Sequence, residues 1–177
     1  MPFDTAQFKE AMSRFTTGVT IVAGIDEDEP VGFTCQSFVS LSIEPPFVAV
    51  APARTSTSWP RIARSGRFCV NVLGDHQTEL CRGFALSGGT KFERVAWRAS
   101  PSSGSPVIEG CLAWIDCDVE LVHEAGDHEL ILGRVLDLGT AEGSPLLYFR
   151  SGYATLTRLP DREDRQDLQG ASGAKDH

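Results

Sequence analysis

Apolar and polar residues alternate along this chain in short bursts whose period changes several times, and each period predicts an element. Near the start, Phe8, Met12 and Phe15 recur at spacings of four and three. They make one stripe on a helix with Asp4 as N-cap and Gly18 as its stop. Val19 to Ile25 is β-branched and apolar, Asp26 to Pro30 is a charged turn, and Val31 to Thr34 resumes the extended pattern. Together they predict a hairpin. Val39, Leu41 and Ile43 alternate with Ser40 and Ser42, so a strand is expected with its apolar face in a core and its hydroxyls on the other side. Pro45 and Pro46 interrupt the pattern before Phe47 to Ala51, a run typical of a buried strand.

A short helix is expected over Ser56 to Ser65, capped by Ser56, Thr57 or Ser58, with Pro60 tolerated in its first turn. Phe68 to Leu73 predicts another strand. Asp75 to Leu86 turns helical, with Leu80, Phe84 and Ala85 on one side and Gly88 and Gly89 at its end. Pro101 to Pro106 is a loop, and Cys111 to His123 and Glu129 to Leu138 are long strands joined by a turn over 124–128. Leu146 to Phe149 and Tyr153 to Leu156 close the series. Residues 160–177 are polar and lack apolar periodicity, so a disordered tail is expected behind a folded domain over 1–159. Seven or eight strands and two or three helices, without regular strand–helix alternation, predict a mainly β (α+β) fold. Its form would be an antiparallel barrel with peripheral helices.

Charge narrows the partners. Among 177 residues, 16 Lys and Arg stand against 24 Asp and Glu, a formal charge of -8, so the surface as a whole repels nucleic acid. No run approaches the roughly 20 apolar residues of a membrane-spanning helix. The first fifteen residues show no basic stretch followed by an apolar one, so a cytoplasmic location is expected. The five cysteines, an odd number, then read as reduced thiols. Several chemistries lack their motifs. There is no GxGxxG after a strand, no GxxxxGK[ST] and no GxSxG. His76, His123, His128 and His177 are not spaced as metal ligands, so no metal site is expected.

The informative stretches are Gly32 to Pro46 and Ala51 to Trp59. In the first, Thr34, Gln36, Ser37, Ser40 and Ser42 set small hydrogen-bonding groups along extended backbone, a surface suited to a flat heteroaromatic with a polar rim. In the second, Arg54 precedes a run of hydroxyls, Thr55 to Ser58, and a helix start, so a guanidinium, hydroxyls and unpaired N–H groups can converge on one anion. Each feature also has a plainer reading. Serines are common on exposed strand faces, and Ser-Thr-Ser before a helix is ordinary capping. Cys35 can be an inert small hydrophobe and His128 a solvent-facing turn residue, while Phe15, Trp59 and Trp114 are expected in the core.

Gly32 to Pro46, Arg54 to Ser58, FCVNVL at Phe68 to Leu73, Lys91-Phe92, GDHELILGRV at Gly126 to Val135 and LLYFRSGY at Leu146 to Tyr153 together resemble the short-chain flavin reductases. These are the reductase components of two-component flavin monooxygenases, with the FMN-binding split-barrel fold, and the likeness spans about Phe8 to Thr157. The resemblance implies a homodimer that binds FMN or FAD near the subunit interface, reduces it with NADH or NADPH, and supplies it to a separate monooxygenase component. By the same likeness Thr34, Cys35, Gln36 and Ser37 would line the isoalloxazine and ribityl chain. Arg54, Ser56 and Ser58 would take the phosphate, with Lys91 and Phe92 nearby. His128 would position the nicotinamide. Cys35-Gln36 departs from the small residues usual there. Two rivals remain: a flavin-dependent oxidase of the same fold, similar to the vitamin B6 phosphate oxidases, and a non-enzymatic flavin or haem binder.

Overall fold

A computed structural model describes residues 2–88 and 90–159; the polar tail expected over 160–177 lies outside them. Helix α1 (Thr5–Ser13) starts on Asp4 as its sequence predicts. The Asp4 carboxylate accepts the Gln7 N–H at 2.8 Å, and the Gln7 side chain accepts the Asp4 N–H at 2.9 Å. There follow β1 (Thr17–Gly18), β2 (Thr20–Asp26), β3 (Glu29–Cys35), β4 (Val39–Ile43), β5 (Pro46–Val50), α2 (Trp59–Ser65) and β6 (Arg67–Val72). A 3-10 turn at Asp75–Gln77 leads into α3 (Thr78–Ala85), then β7 (Trp97–Ala99), β8 (Pro106–Ile108), β9 (Ala113–Ala125), β10 (His128–Thr140), β11 (Leu147–Phe149) and β12 (Gly152–Ala154). The β2–β3 turn is carried by Glu27 and Asp28, both left-handed at φ 50° and 69°, the conformation that suits a two-residue hairpin.

The main sheet has seven strands in the order β3-β2-β6-β9-β10-β5-β4, every neighbouring pair antiparallel. Side chains from six of these strands meet in one buried cluster: Val22, Val31, Val50, Phe68, Cys117 and Ile131, closed by Trp59 and Ile62 of α2. Strands distant in sheet order can share a cluster only if the sheet curls around it, which leaves β3 and β4 as its edges. Gly133 in β10 permits this packing. A Cβ there would sit 2.5 Å from the Phe68 ring, so the aromatic fills the space that a side chain would need. The other face of β2 points Ile21 and Ala23 into a second cluster with Leu73, Phe84, Ile108 and Leu146. Both faces of β2 are covered, which is why Val19 to Ile25 reads as a continuous apolar run.

At the end of β2 the Asp26 carboxylate, almost fully buried, accepts from Arg61 at 2.7 Å and from Arg64 at 2.5 Å. These bonds tie α2 to the sheet. The hydrogen bonds from Arg61 and Arg64 hold the Asp26 carboxyl below the usual carboxylate range.

Several expectations need correction. The stripe of α1 is not buried: Phe8, Met12 and Phe15 are 52%, 54% and 76% exposed. The helix also ends at Ser13, well short of Gly18. In β4 the side expected in a core is open, with Val39, Leu41 and Ile43 at 49%, 54% and 92% exposure, because this edge strand pairs only with β5. Phe15 is therefore no core residue. Trp59 is, while Trp114 is half-buried beneath the Arg98 guanidinium, 5.2 Å from its ring centre. In α3 the inward positions are Cys81 and Phe84, and Ala85 is exposed. The hairpin of β7 and β8 flanks the predicted loop, and short pairings of this kind raise the strand count to twelve among the described residues. No helix among them is long and apolar enough to cross a membrane.

Candidate functional site

Where β3 runs off the sheet edge, it borders a cleft of about 510 Å3. The cleft gathers eight of the ten residues singled out from sequence: Thr34, Cys35, Gln36, Ser37, Ser56, Ser58, Lys91 and His128. They come from four separate parts of the chain. Two backbone hydrogen bonds bring the loop after β5 to the β9–β10 turn: the Arg54 N–H donates to the Asp127 carbonyl at 2.9 Å and the Glu129 N–H to the Pro52 carbonyl at 3.0 Å, which sets Ala53 opposite His128.

Several side chains of the 34–37 segment are engaged in building the cleft. The Thr34 hydroxyl donates to the Cys81 carbonyl at 2.8 Å and so fixes β3 to α3. Ser37 Oγ donates to the Ala51 carbonyl and accepts the Ala51 N–H, both at 3.0 Å, clasping the end of β3 to the end of β5. Cys35 Sγ lies 3.2 Å from Ser37 Oγ, and burial pushes its thiol up, so it is a neutral wall. Ligand contacts along this segment therefore fall to backbone groups and to exposed Gln36.

The loop over 55–58 carries the anion chemistry. Ser56 Oγ accepts the Trp59 N–H at 3.1 Å, while Ser58, at the N-cap position of α2, makes no capping bond. The N–H groups of Thr57 and Ser58 find no acceptor among the described residues. Beside them, Lys91 Nζ donates to the Phe84 carbonyl at 3.0 Å and the Gly32 carbonyl at 3.3 Å, and desolvation lowers its pKa. It has no carboxylate partner among the described residues. A half-buried cation without a counter-charge, next to bare N–H groups, is a donor set fitted to a phosphate.

Two predicted residues stand elsewhere. Arg54 does not line the cleft; its guanidinium reaches Glu124 at 3.6 Å and is half exposed. Phe92 is buried edge-on against Phe84 at 4.9 Å and against Trp97 at 6.1 Å, behind Lys91. His128 is 2.8 Å from Asp127 through Nδ1, and that hydrogen bond holds the Asp127 carboxyl below its usual range. A carboxylate acceptor places the proton on Nδ1 and leaves Nε2 as the other ring nitrogen, an acceptor while the ring is neutral. Pro52, Ala53, Thr57, Phe84, Leu86 and Ser87 also line the cleft. Of these, Thr57 had a sequence signal as a capping candidate, Phe84 only as an apolar position of the predicted helix, and Pro52 and Ala53 only as part of the stretch Ala51 to Trp59.

Residues 12–157 match the family described as "Flavin reductase like domain". The chain is 46% identical over 160 residues to the reductase subunit HsaB of a flavin-dependent monooxygenase from Rhodococcus jostii (strain RHA1), covering 90% of this chain and 80% of that one. Among solved structures it is similar to nitrilotriacetate monooxygenase component B from Mycobacterium thermoresistibile, with a TM-score of 0.84 and 40% identity over 92% of this chain and 94% of that one. It is also similar to a Streptomyces globisporus NADH:FAD oxidoreductase in complex with NAD and FAD fragments, with a TM-score of 0.83 and 30% identity over 92% and 97% of the two chains. A match over most of the length shows that the chain belongs to the flavin reductase family.

Proposed function

We propose that this chain is an NAD(P)H-dependent flavin reductase that supplies reduced FMN or FAD to a separate monooxygenase component. The observation that carries this reading is the single cleft in which the 34–37 segment, the bare N–H groups of Thr57 and Ser58, Lys91 and His128 converge. Bound together, nicotinamide and flavin supply the redox chemistry themselves, hydride passing from one ring to the other. The protein's work is placement. The backbone of Gln36 and Ser37 supports the flat ring, while Thr57, Ser58 and Lys91 hold the phosphate. Ser56 orders their loop, and Arg54, one residue outside the cleft, adds a positive field once it leaves Glu124. His128, steadied by Asp127, accepts from the nicotinamide amide through Nε2 and so acts as a positioning residue.

A second copy of the chain completes the molecule in this reading. The apolar side of β4 and the stripe of α1 are exposed hydrophobic faces of the kind that homodimers bury. The five cysteines are all free and buried, which suits a reducing compartment such as the cytoplasm.

Mixing purified protein with NADH or NADPH and free flavin, and following nicotinamide absorbance, tests the reading; rapid oxidation that depends on added flavin is expected, and bound flavin without turnover would reject it. Lys91→Met should weaken FMN by about 1.5–3 kcal/mol while leaving riboflavin nearly unchanged, as loss of a charge-assisted phosphate contact requires. Equal losses for the two flavins would remove Lys91 from the phosphate site.

A further inference from the structure

One helix supports both ends of the flavin cleft. The Cys81 carbonyl of α3 accepts the Thr34 hydroxyl at 2.8 Å, beside the ring seat, and the Phe84 carbonyl of the same helix accepts Lys91 Nζ at 3.0 Å, where the phosphate is placed. The shape of the cleft therefore depends on what holds α3. The helix buries only Cys81 and Phe84, a narrow apolar stripe.

A polar contact adds to that packing. Half-buried Tyr153 of β12, which does not line the cleft, brings its hydroxyl to 3.3 Å from Cys81 Sγ. The same sulfur lies 4.0 Å from the Thr34 hydroxyl, so Tyr153, Cys81 and Thr34 form a continuous chain from β12 to the ring seat. Hydrogen bonding to Cys81, with burial second, pushes the Tyr153 phenol up to about 12, so at neutral pH the hydroxyl keeps its proton and can donate to the sulfur. The ring is held by other contacts, edge-on to Tyr148 at 5.5 Å and beneath the Arg82 guanidinium of α3 at 5.4 Å. A ring gripped in this way stays in place when only its hydroxyl is deleted.

We infer that Tyr153 is a positioning residue for the flavin ring, fixing the Thr34 end of the cleft from outside through Cys81; the assignment rests on the flavin reading above and adds a residue to it. It gives the stretch Leu146 to Tyr153 a part in the site although none of its residues lines the cleft.

Titration of the purified full chain with riboflavin and with FMN, followed by flavin fluorescence, tests the assignment without reference to turnover. Tyr153→Phe removes the hydroxyl alone and should weaken both flavins about threefold, the order of one neutral hydrogen bond. Lys91→Met, by contrast, spares riboflavin. Cys81→Ala breaks the same contact from the other side, and in a double-mutant cycle the two changes together should weaken riboflavin no further than either alone. A hydroxyl that served stability only would lower the melting temperature of Tyr153→Phe and leave both flavin affinities as they are. That result, or losses that simply add in the double variant, overturns the assignment. In the native chain, saturation with FMN should slow amide hydrogen exchange across β12, since coupling between the cleft and Tyr153 must be reciprocal. Unchanged exchange there overturns the assignment even if the variants fail to fold. Absence of any flavin binding by the native chain would reject the flavin reading, and the assignment with it.

Discussion

The side of the molecule beneath α2 and the side formed by α1 and β4 carry similar apolar patterns with opposite outcomes. Under α2, Val22, Phe68 and Ile131 are fully buried, and Asp26 locks the helix down through two arginines. On the other side Phe15, Leu41 and Ile43 stand open. Alternation in a sequence thus tells which side chains share a face, and says nothing about which chain covers that face. The first region is complete within one protomer. The second is an open apolar surface, the one that the proposed dimer would cover.

Three changes would break or sharpen this contrast. The largest effect is expected from Phe68→Ala, which empties the centre of the closed core beside Trp59 and Gly133 and should cost about 3–5 kcal/mol in denaturant unfolding at any protein concentration. Next, Leu41→Ser combined with Ile43→Ser should change protomer stability little but raise the dissociation constant of the proposed dimer by at least about a hundredfold, since each removes an apolar contact worth roughly 1.5–3 kcal/mol. Sedimentation across a concentration series reads it directly, and an unchanged monomer–dimer balance would remove β4 from the interface. The smallest concerns pH. Because Arg61 and Arg64 depress the Asp26 carboxyl, its contribution is present above the ordinary aspartate value of about 3.9 and is lost as pH falls through the lower, folded value. Asp26→Asn should therefore lower the urea midpoint at pH 7 and narrow the gap between pH 7 and pH 3; an undiminished gap would assign the acid sensitivity to other groups.

Local chemistry made much of this fold legible. Asp4 announces a helix start, alternation finds β4 because period two needs only neighbours in sequence, and the apolar run Phe47 to Ala51 finds β5. What stayed hidden depends on distant partners. Arg54 reads as a phosphate ligand from its sequence neighbours, and its contact with Glu124, seventy residues away in sequence, shows only in the fold. Strands β7 and β8 are three residues each, too short to show a period. Thr57 and Ser58 look like capping residues, and only the observed bond from Trp59 to Ser56 frees them for another use. The cleft was legible as a set of motifs, whereas the chain from Tyr153 through Cys81 to Thr34 was not, since these three are brought together by three-dimensional packing alone.

Ser37 Oγ spends its proton on one main-chain group of Ala51 and its lone pair on the other. A hydroxyl used in this way is a rivet joining two strands, so its removal would let the ring seat drift instead of deleting a contact. Any search for specificity at that position will find every flavin affected alike.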